Sequence, residues 1–196
     1  NILMRQEKLI HFLQSTGFIN PQKSEEIAAY FSTYVISRNE YFLKEGTICN
    51  TYLFLENGFM RAFAYDTAGN DITTNFYEGS QVVFEVSSFF HRTKSQENIQ
   101  AITDCEGWVI TYEELNYLFH ALPEFREFGR HLLVKGFALL KTRMLSMITE
   151  TAEERYKRLL NHNAEIFQYA PLKYIASYLG VTDTSLSRIR KEFSKK

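Results

Sequence analysis

Residues 172–193, LKYIASYLGVTDTSLSRIRKEF, gather the side chains of this 196-residue chain best suited to hydrogen-bond a polyanion. On a helix that starts at Thr182, Leu186, Ile189 and Phe193 share an apolar face. Thr184, Arg188 and Lys191 share the opposite face, flanked by Ser185, Ser187 and Arg190. Arginine can contact a guanine edge bidentately in the major groove, and hydroxyls and ammonium groups reach phosphate oxygens. The same pattern also fits an ordinary helical hairpin whose cationic side is merely solvated.

The segment just before supplies a mount for this helix. Leu172, Ile175, Ala176 and Leu179 fall at i, i+3, i+4 and i+7, one helical face, and Gly180 can take the left-handed conformation that ends a helix sharply. Thr182 is a natural N-cap for the second helix. Two short helices around a glycine turn match a DNA-reading helix-turn-helix.

Other chemistry is harder to assemble. The five histidines, His11, His91, His120, His131 and His162, are far apart, and no His-x-His or metal-spaced carboxylate pair occurs. Nucleophile elbows, P-loops and Gly-x-Gly-x-x-Gly turns are absent. No catalysis, metal site or cofactor is expected, and Trp108 reads as core. Cys49 and Cys105 have no metal or redox spacing, which points to a reduced, cytoplasmic setting. No apolar run or leader pattern predicts a membrane partner or secretion.

A hydrophobic content of 45% excludes a disordered chain. The net charge of −1 is unevenly spread: residues 151–196 carry +4 and residues 1–150 carry −5. An acidic body with a basic C-terminal module fits a sensor joined to a nucleic-acid-binding head.

In chain order, residues 2–36 read as helical, broken at Gly17 and restarted at Pro21 and Ser24. From Tyr41 the period becomes two. Asn57-Gly58 between TYLFLE and FMRAFAY predicts a β-hairpin, and Ala68-Gly69-Asn70 a second, with Ile72–Tyr77 as its return strand. Strands are predicted at 81–84, 98–103 and 106–111, together forming a sandwich, roll or barrel. After a short helix, 113–119, a helix runs from Pro123 to Thr149, about 40 Å. It has two apolar stripes: Phe125, Phe128, Leu132 and Leu139, and Leu133, Gly136, Leu140 and Met147. One can pack on the body and the other on a partner's helix. Thr151 with Glu154 forms a capping box for a helix over 152–161.

This order of parts resembles the Crp/Fnr family of transcription regulators, most strongly over Tyr178-Leu179-Gly180-Val181-Thr182 and Leu186-Ser187-Arg188-Ile189. The resemblance implies an α+β fold. A double-stranded β-helix (jelly-roll) sensor domain would span 1–122, a long dimerisation helix 123–149, and a helix-turn-helix domain without an evident wing 150–196. It also implies double-stranded DNA, RNA polymerase and a second copy of the chain as partners. Arg188 corresponds to the family's base-reading arginine. Asp183 and Thr184 fall where an arginine and a glutamate usually stand, so the operator should differ. Thr182 falls at a phosphate-contacting hydroxyl, and Lys191, Lys195 and Lys196 could add phosphate contacts.

The effector cassette departs further. Glu85 keeps the ribose-binding glutamate, but Phe84 replaces the glycine before it. Ser95 and Gln96 stand where an Arg-Ser pair binds the cyclic phosphate, and Leu140 and Lys141 where a Thr-Ser pair meets adenine. Without the arginine fork, a phosphate loses its counter-charge, so cyclic AMP is not the expected effector. Arg92 and Lys94 are the nearest replacement cations. An unknown small-molecule effector would sit between Glu85, Ser95–Gln96 and the long helix. The alternative is an effector-binding or scaffolding protein whose helix-turn-helix contacts protein.

Overall fold

The computed structural model describes residues 6–193. Residues 2–5 of the expected N-terminal helix, and Lys195 and Lys196, lie outside this range. Eight strands follow two short helices, α1 (Glu7–Gln14) and α2 (Pro21–Ala28). They are β1 (Ser32–Ile36), β2 (Tyr41–Leu43), β3 (Thr51–Asn57), β4 (Met60–Tyr65), β5 (Asp71–Tyr77), β6 (Gln81–Val83), β7 (Asn98–Ala101) and β8 (Cys105–Thr111). They form two four-stranded antiparallel sheets in the orders β1-β8-β3-β6 and β2-β7-β4-β5. The chain changes sheet at every step except β4 to β5, which is the order of a jelly roll. Leu53, Leu55, Met60, Ala62, Val83 and Ile99 are fully buried between the sheets, and Phe54 is fully buried on the opposite face of β3, under α1.

Two sequence expectations fail here. Asn57-Gly58 does not close a hairpin, because β3 and β4 lie in different sheets. Strand β3 already has β8 and β6 on its two edges, so no edge is left for β4. Gly58 takes φ of 106° where the chain crosses the rim, and a Cβ there would overlap Cys105 Sγ and the Asp104 carbonyl. The second failure is at residues 32–36. The helical reading does not extend to them: they pair with β8 from Ser32↔Val109 to Ile36↔Cys105, as the β-branched Thr33, Val35 and Ile36 favour. The hairpin at 66–70 does form, with Asp66 Oδ1 accepting from the amides of Ala68 and Asn70.

Helix α3 (Val86–His91) joins β6 to β7, and α4 (Tyr112–Ala121), started by a Thr111/Glu114 capping box, leads to α5 (Pro123–Thr149). Phe12 of α1 stacks on Phe54 at 4.8 Å and meets Phe128 edge-on at 5.4 Å, fastening the start of α5 to the roll. Phe125, Phe128 and Gly129 are buried. From Leu133 to Thr142 the helix is exposed on every side, and it returns to the roll and head at Arg143. Leu139, placed by its spacing on the same stripe as Phe125 and Phe128, is 63% exposed. A third stripe, Val134, Phe137, Met144 and Ile148, with Lys141 between, carries the two most exposed large apolar side chains of the helix, Phe137 at 71% and Ile148 at 74%, beside Leu139 and Leu140, which are open as well.

The C-terminal helices are α6 (Ala152–His162), α7 (Ile166–Tyr169), α8 (Leu172–Leu179) and α9 (Asp183–Phe193). The short α7 carries no sequence signal. Tyr156, Ile166, Ile175, Ala176, Leu179, Leu186 and Ile189 form their core, which is continuous with Phe59, Phe76 and Ile102 of the roll. No helix among the described residues is long and apolar enough to cross a membrane.

Candidate nucleic-acid interface and effector region

Helix α8 ends in two paired bonds, Val181 N–H to the Ala176 carbonyl and Gly180 N–H to the Ser177 carbonyl, with Gly180 at φ 69°. This Schellman arrangement sets the angle at which α9 departs. The side chain of Met147 from α5 lies against Gly180, where a Cβ would stand. Gly180→Ala is therefore expected to cost roughly 1–2 kcal/mol of stability, the penalty of a left-handed alanine, measurable by denaturant unfolding.

Thr182 caps α9: its Oγ1 accepts from Ser185 N–H at 3.2 Å and donates to Ser185 Oγ at 3.0 Å. Its proton is thus engaged, leaving the Ser185 hydroxyl as the donor of that pair. Leu186 and Ile189 anchor α9 in the core, and this fixes what faces out. Thr182, Asp183, Thr184, Ser187, Arg188 and Lys191 are exposed and Ser185 is half-buried. The seven residues read from the sequence as a nucleic-acid surface therefore occupy one helix and its cap. Arg155 supports the pair from behind, bonding the Leu179 carbonyl at 3.1 Å and the Glu150 carbonyl at 2.6 Å.

The expected effector residues are placed less coherently. Glu85 caps α3, its two carboxylate oxygens accepting from Ser87 N–H at 3.0 Å and Ser88 N–H at 2.7 Å. Phe84 packs among the rings of Tyr52, Phe89 and Phe90. Ser95 is buried, its hydroxyl bonded within its own loop to the Glu97 backbone, and Gln96 is exposed. Leu140 and Lys141 are exposed on α5, and no hydrogen bond, ion pair or ring contact among the described residues joins them to the 84–96 group. Arg92 is not a spare cation: it bonds the Cys49 and Phe89 carbonyls and Asn50, and lies over the Tyr112 ring at 4.1 Å. Lys94 is exposed, its backbone bridged to Ile48.

Residues that periodicity did not mark are more telling. Burial pushes the Glu97 carboxyl up, and Glu85 pushes it further the same way, while Thr74 and Arg143 oppose the shift. Burial also raises the Tyr77 hydroxyl to about 12. Glu85 thus lies close enough to Glu97 to disfavour its charged form, with Arg143 as the opposing cation. Two clefts are defined elsewhere. One, of about 580 Å³, lies between α1 and α5 and is lined by Lys8, His11, Phe12, His131, Leu132 and Lys135 among others. The second, of about 290 Å³, runs along residues 41–51. None of Phe84, Glu85, Ser95, Gln96, Leu140 and Lys141 lines either. Among the described residues, no three His, Cys, Asp or Glu side chains are grouped to hold a metal ion. Trp108 is buried with its indole N–H donated to Glu56 at 2.6 Å.

A jelly roll, a long helix and a helical head ending in a helix-turn-helix define the class: a roll of the cyclic nucleotide-binding type carrying a helical head. Residues 35–121 match the family model of the cyclic nucleotide-binding domain, and the fold is shared with solved structures of Crp/Fnr transcription regulators. The chain is similar to FixK2 from Bradyrhizobium japonicum (TM-score 0.72, 15% identity, covering 84% of this chain and 85% of that one). It is similar to a transcriptional regulator described as of the Crp/Fnr family from Eubacterium rectale (TM-score 0.72, 14% identity, 94% and 88%). It is also similar to the catabolite activator protein of Thermus thermophilus (TM-score 0.56, 17% identity, 90% and 84%). No curated protein sequence matches it.

Proposed function

We propose that this protein is a cytoplasmic, homodimeric, sequence-specific DNA-binding transcription regulator of Crp/Fnr type that does not respond to cyclic AMP. The observation that carries this reading is the outward face of α9: Thr184, Ser187, Arg188 and Lys191 exposed on a helix whose opposite side is locked into a core by Leu186 and Ile189. Arg188 reads a base, and the Ser185 hydroxyl and Lys191 approach phosphates. Two copies joined along α5 would set their α9 helices into successive major grooves about 34 Å apart. Bound there, the protein would meet RNA polymerase. Ser95 and Gln96 in place of an Arg-Ser pair, with Arg92 engaged by the Cys49 and Phe89 carbonyls, disfavour a cyclic phosphate. An effector, if the region around Glu85, Ser95, Gln96, Leu140 and Lys141 takes one, has a different chemistry.

The test is selection of bound sequences from random duplexes, with affinity then measured across salt concentrations. A palindromic preference is expected, with log affinity falling linearly with log salt and unchanged by cyclic AMP. A salt-independent affinity, or no binding at low salt, would instead favour a head that contacts protein. A gain in affinity on adding cyclic AMP would overturn the effector reading.

A further inference from the structure

The head is held against the roll along strand β5, and two arginines make the junction. Arg61 of β4 is 1% exposed. Its guanidinium forms a two-pronged bond to Asp71, both distances 2.6 Å, and a third to Thr73 Oγ1 at 3.2 Å. It is sandwiched between the ring of Phe63 at 3.9 Å and, from the head, the ring of Tyr174 at 3.4 Å. Stacking between two π-faces suits a weakly hydrated guanidinium. Its Nε has no hydrogen-bond partner.

Arg143 of α5 works from the other side. It donates to the Thr74 carbonyl of β5 and, at 3.1 Å, to the Tyr178 carbonyl of α8, and it lies over the Tyr178 ring at 4.0 Å. Thr74 is the extra residue of a β-bulge, since Ala62 pairs with Asn75 and Phe63 with Thr73. Bulges re-aim backbone groups out of the ladder; here the freed carbonyl meets Arg143. Between the arginines, Thr73 N–H donates to Ser177 Oγ at 3.0 Å, and Phe76 meets Tyr178 edge-on at 5.1 Å. The contacts come from the side of α8 away from α9, so docking leaves Thr184 and Arg188 open.

We infer that Arg61 and Arg143 are positioning residues that clamp α8 onto β5 and so fix the direction in which α9 is presented. Neither touches the DNA-reading face. The clamp bears on affinity only if α9 reads DNA, the function proposed for it, but its mechanical role can be measured without DNA.

Arg143→Met keeps an apolar stem and removes both carbonyl bonds. Spin labels at the exposed positions 67 on the roll and 157 on the head should give one narrow distance distribution in the parent and a broad one in the variant. DNA affinity should fall about tenfold, because the loosened head must be re-ordered on binding. The salt dependence should be unchanged, since no phosphate contact is lost. Arg143→Lys, which keeps the charge but not the fork, should restore little. Tyr174→Leu, which removes the stacking partner of Arg61 from the head side, should broaden the same distribution should Arg143→Met fail to fold. An unbroadened distribution in the folded variants overturns the clamp. A broadened distribution in a protein whose parent binds no DNA keeps the clamp and overturns the DNA reading instead.

Discussion

Replacing Phe137 and Ile148 together by glutamate should convert the protein from dimer to monomer and lower operator affinity by about 10²–10⁴-fold, the gain that linking two binding modules ordinarily gives. The two side chains are the most exposed large apolar ones on α5, at 71% and 74%. With Val134 and Met144 they form a stripe at three- and four-residue steps. The stripe lies on the side of the helix away from Arg143, which is turned toward the chain's own roll and head. Burying a Phe or Ile side chain is worth about 1.5–3 kcal/mol, and a two-fold axis counts each twice. Glutamate removes that gain and brings four carboxylates to one seam. Because both positions are solvated in the isolated chain, the monomer should stay folded, its melting temperature lowered only by the lost association. Sedimentation of the variant, with its circular dichroism, checks both halves; a folded variant that stays dimeric would place the seam elsewhere.

Arg188→Ala should have the second-largest effect, and of a different kind. The residue is exposed near the middle of α9, one turn beyond Thr184, with Leu186 and Ile189 beside it fixing the helix in place. A bidentate arginine–guanine contact is worth about 1–3 kcal/mol of discrimination, and a dimer makes two. Base preference should relax at one position in each half-site while the remaining positions keep theirs. Lys191→Gln should weaken all sequences alike and lower the salt slope by about one. A selection experiment on Arg188→Ala that returns the parental motif would refute the assignment.

Much of this is legible in the residues. The glycine turn, the Thr182 cap and the apolar positions 175, 176, 179, 186 and 189 place the head from periodicity alone, because a short amphipathic helix has few ways to bury its face. The capping boxes at Thr111 and Thr151 mark helix starts through local bonds. What stays hidden is non-local. Asn57-Gly58 carries a strong hairpin signal, yet the pairing of β3 with β8 and β6, set far along the chain, decides where the strand goes. Arg61 carries no sequence signal of its own; only Asp71, Phe63 and Tyr174 converging on it explain its burial. Likewise, the stripes counted along α5 could not show that Arg143 and Met147 face the chain's own head, or that Val134, Phe137, Met144 and Ile148 form a further open stripe.

The bulged strand β5 has one further consequence. It is the last strand of its sheet, with β4 on one side and no strand on the other. Such an edge offers free backbone groups to any extended chain that meets it, a common route to aggregation. Here Ser177 takes the Thr73 amide and Arg143 takes the Thr74 carbonyl. The reading head therefore also serves as the roll's edge guard, and each departure from β5 uncovers a surface competent for strand addition.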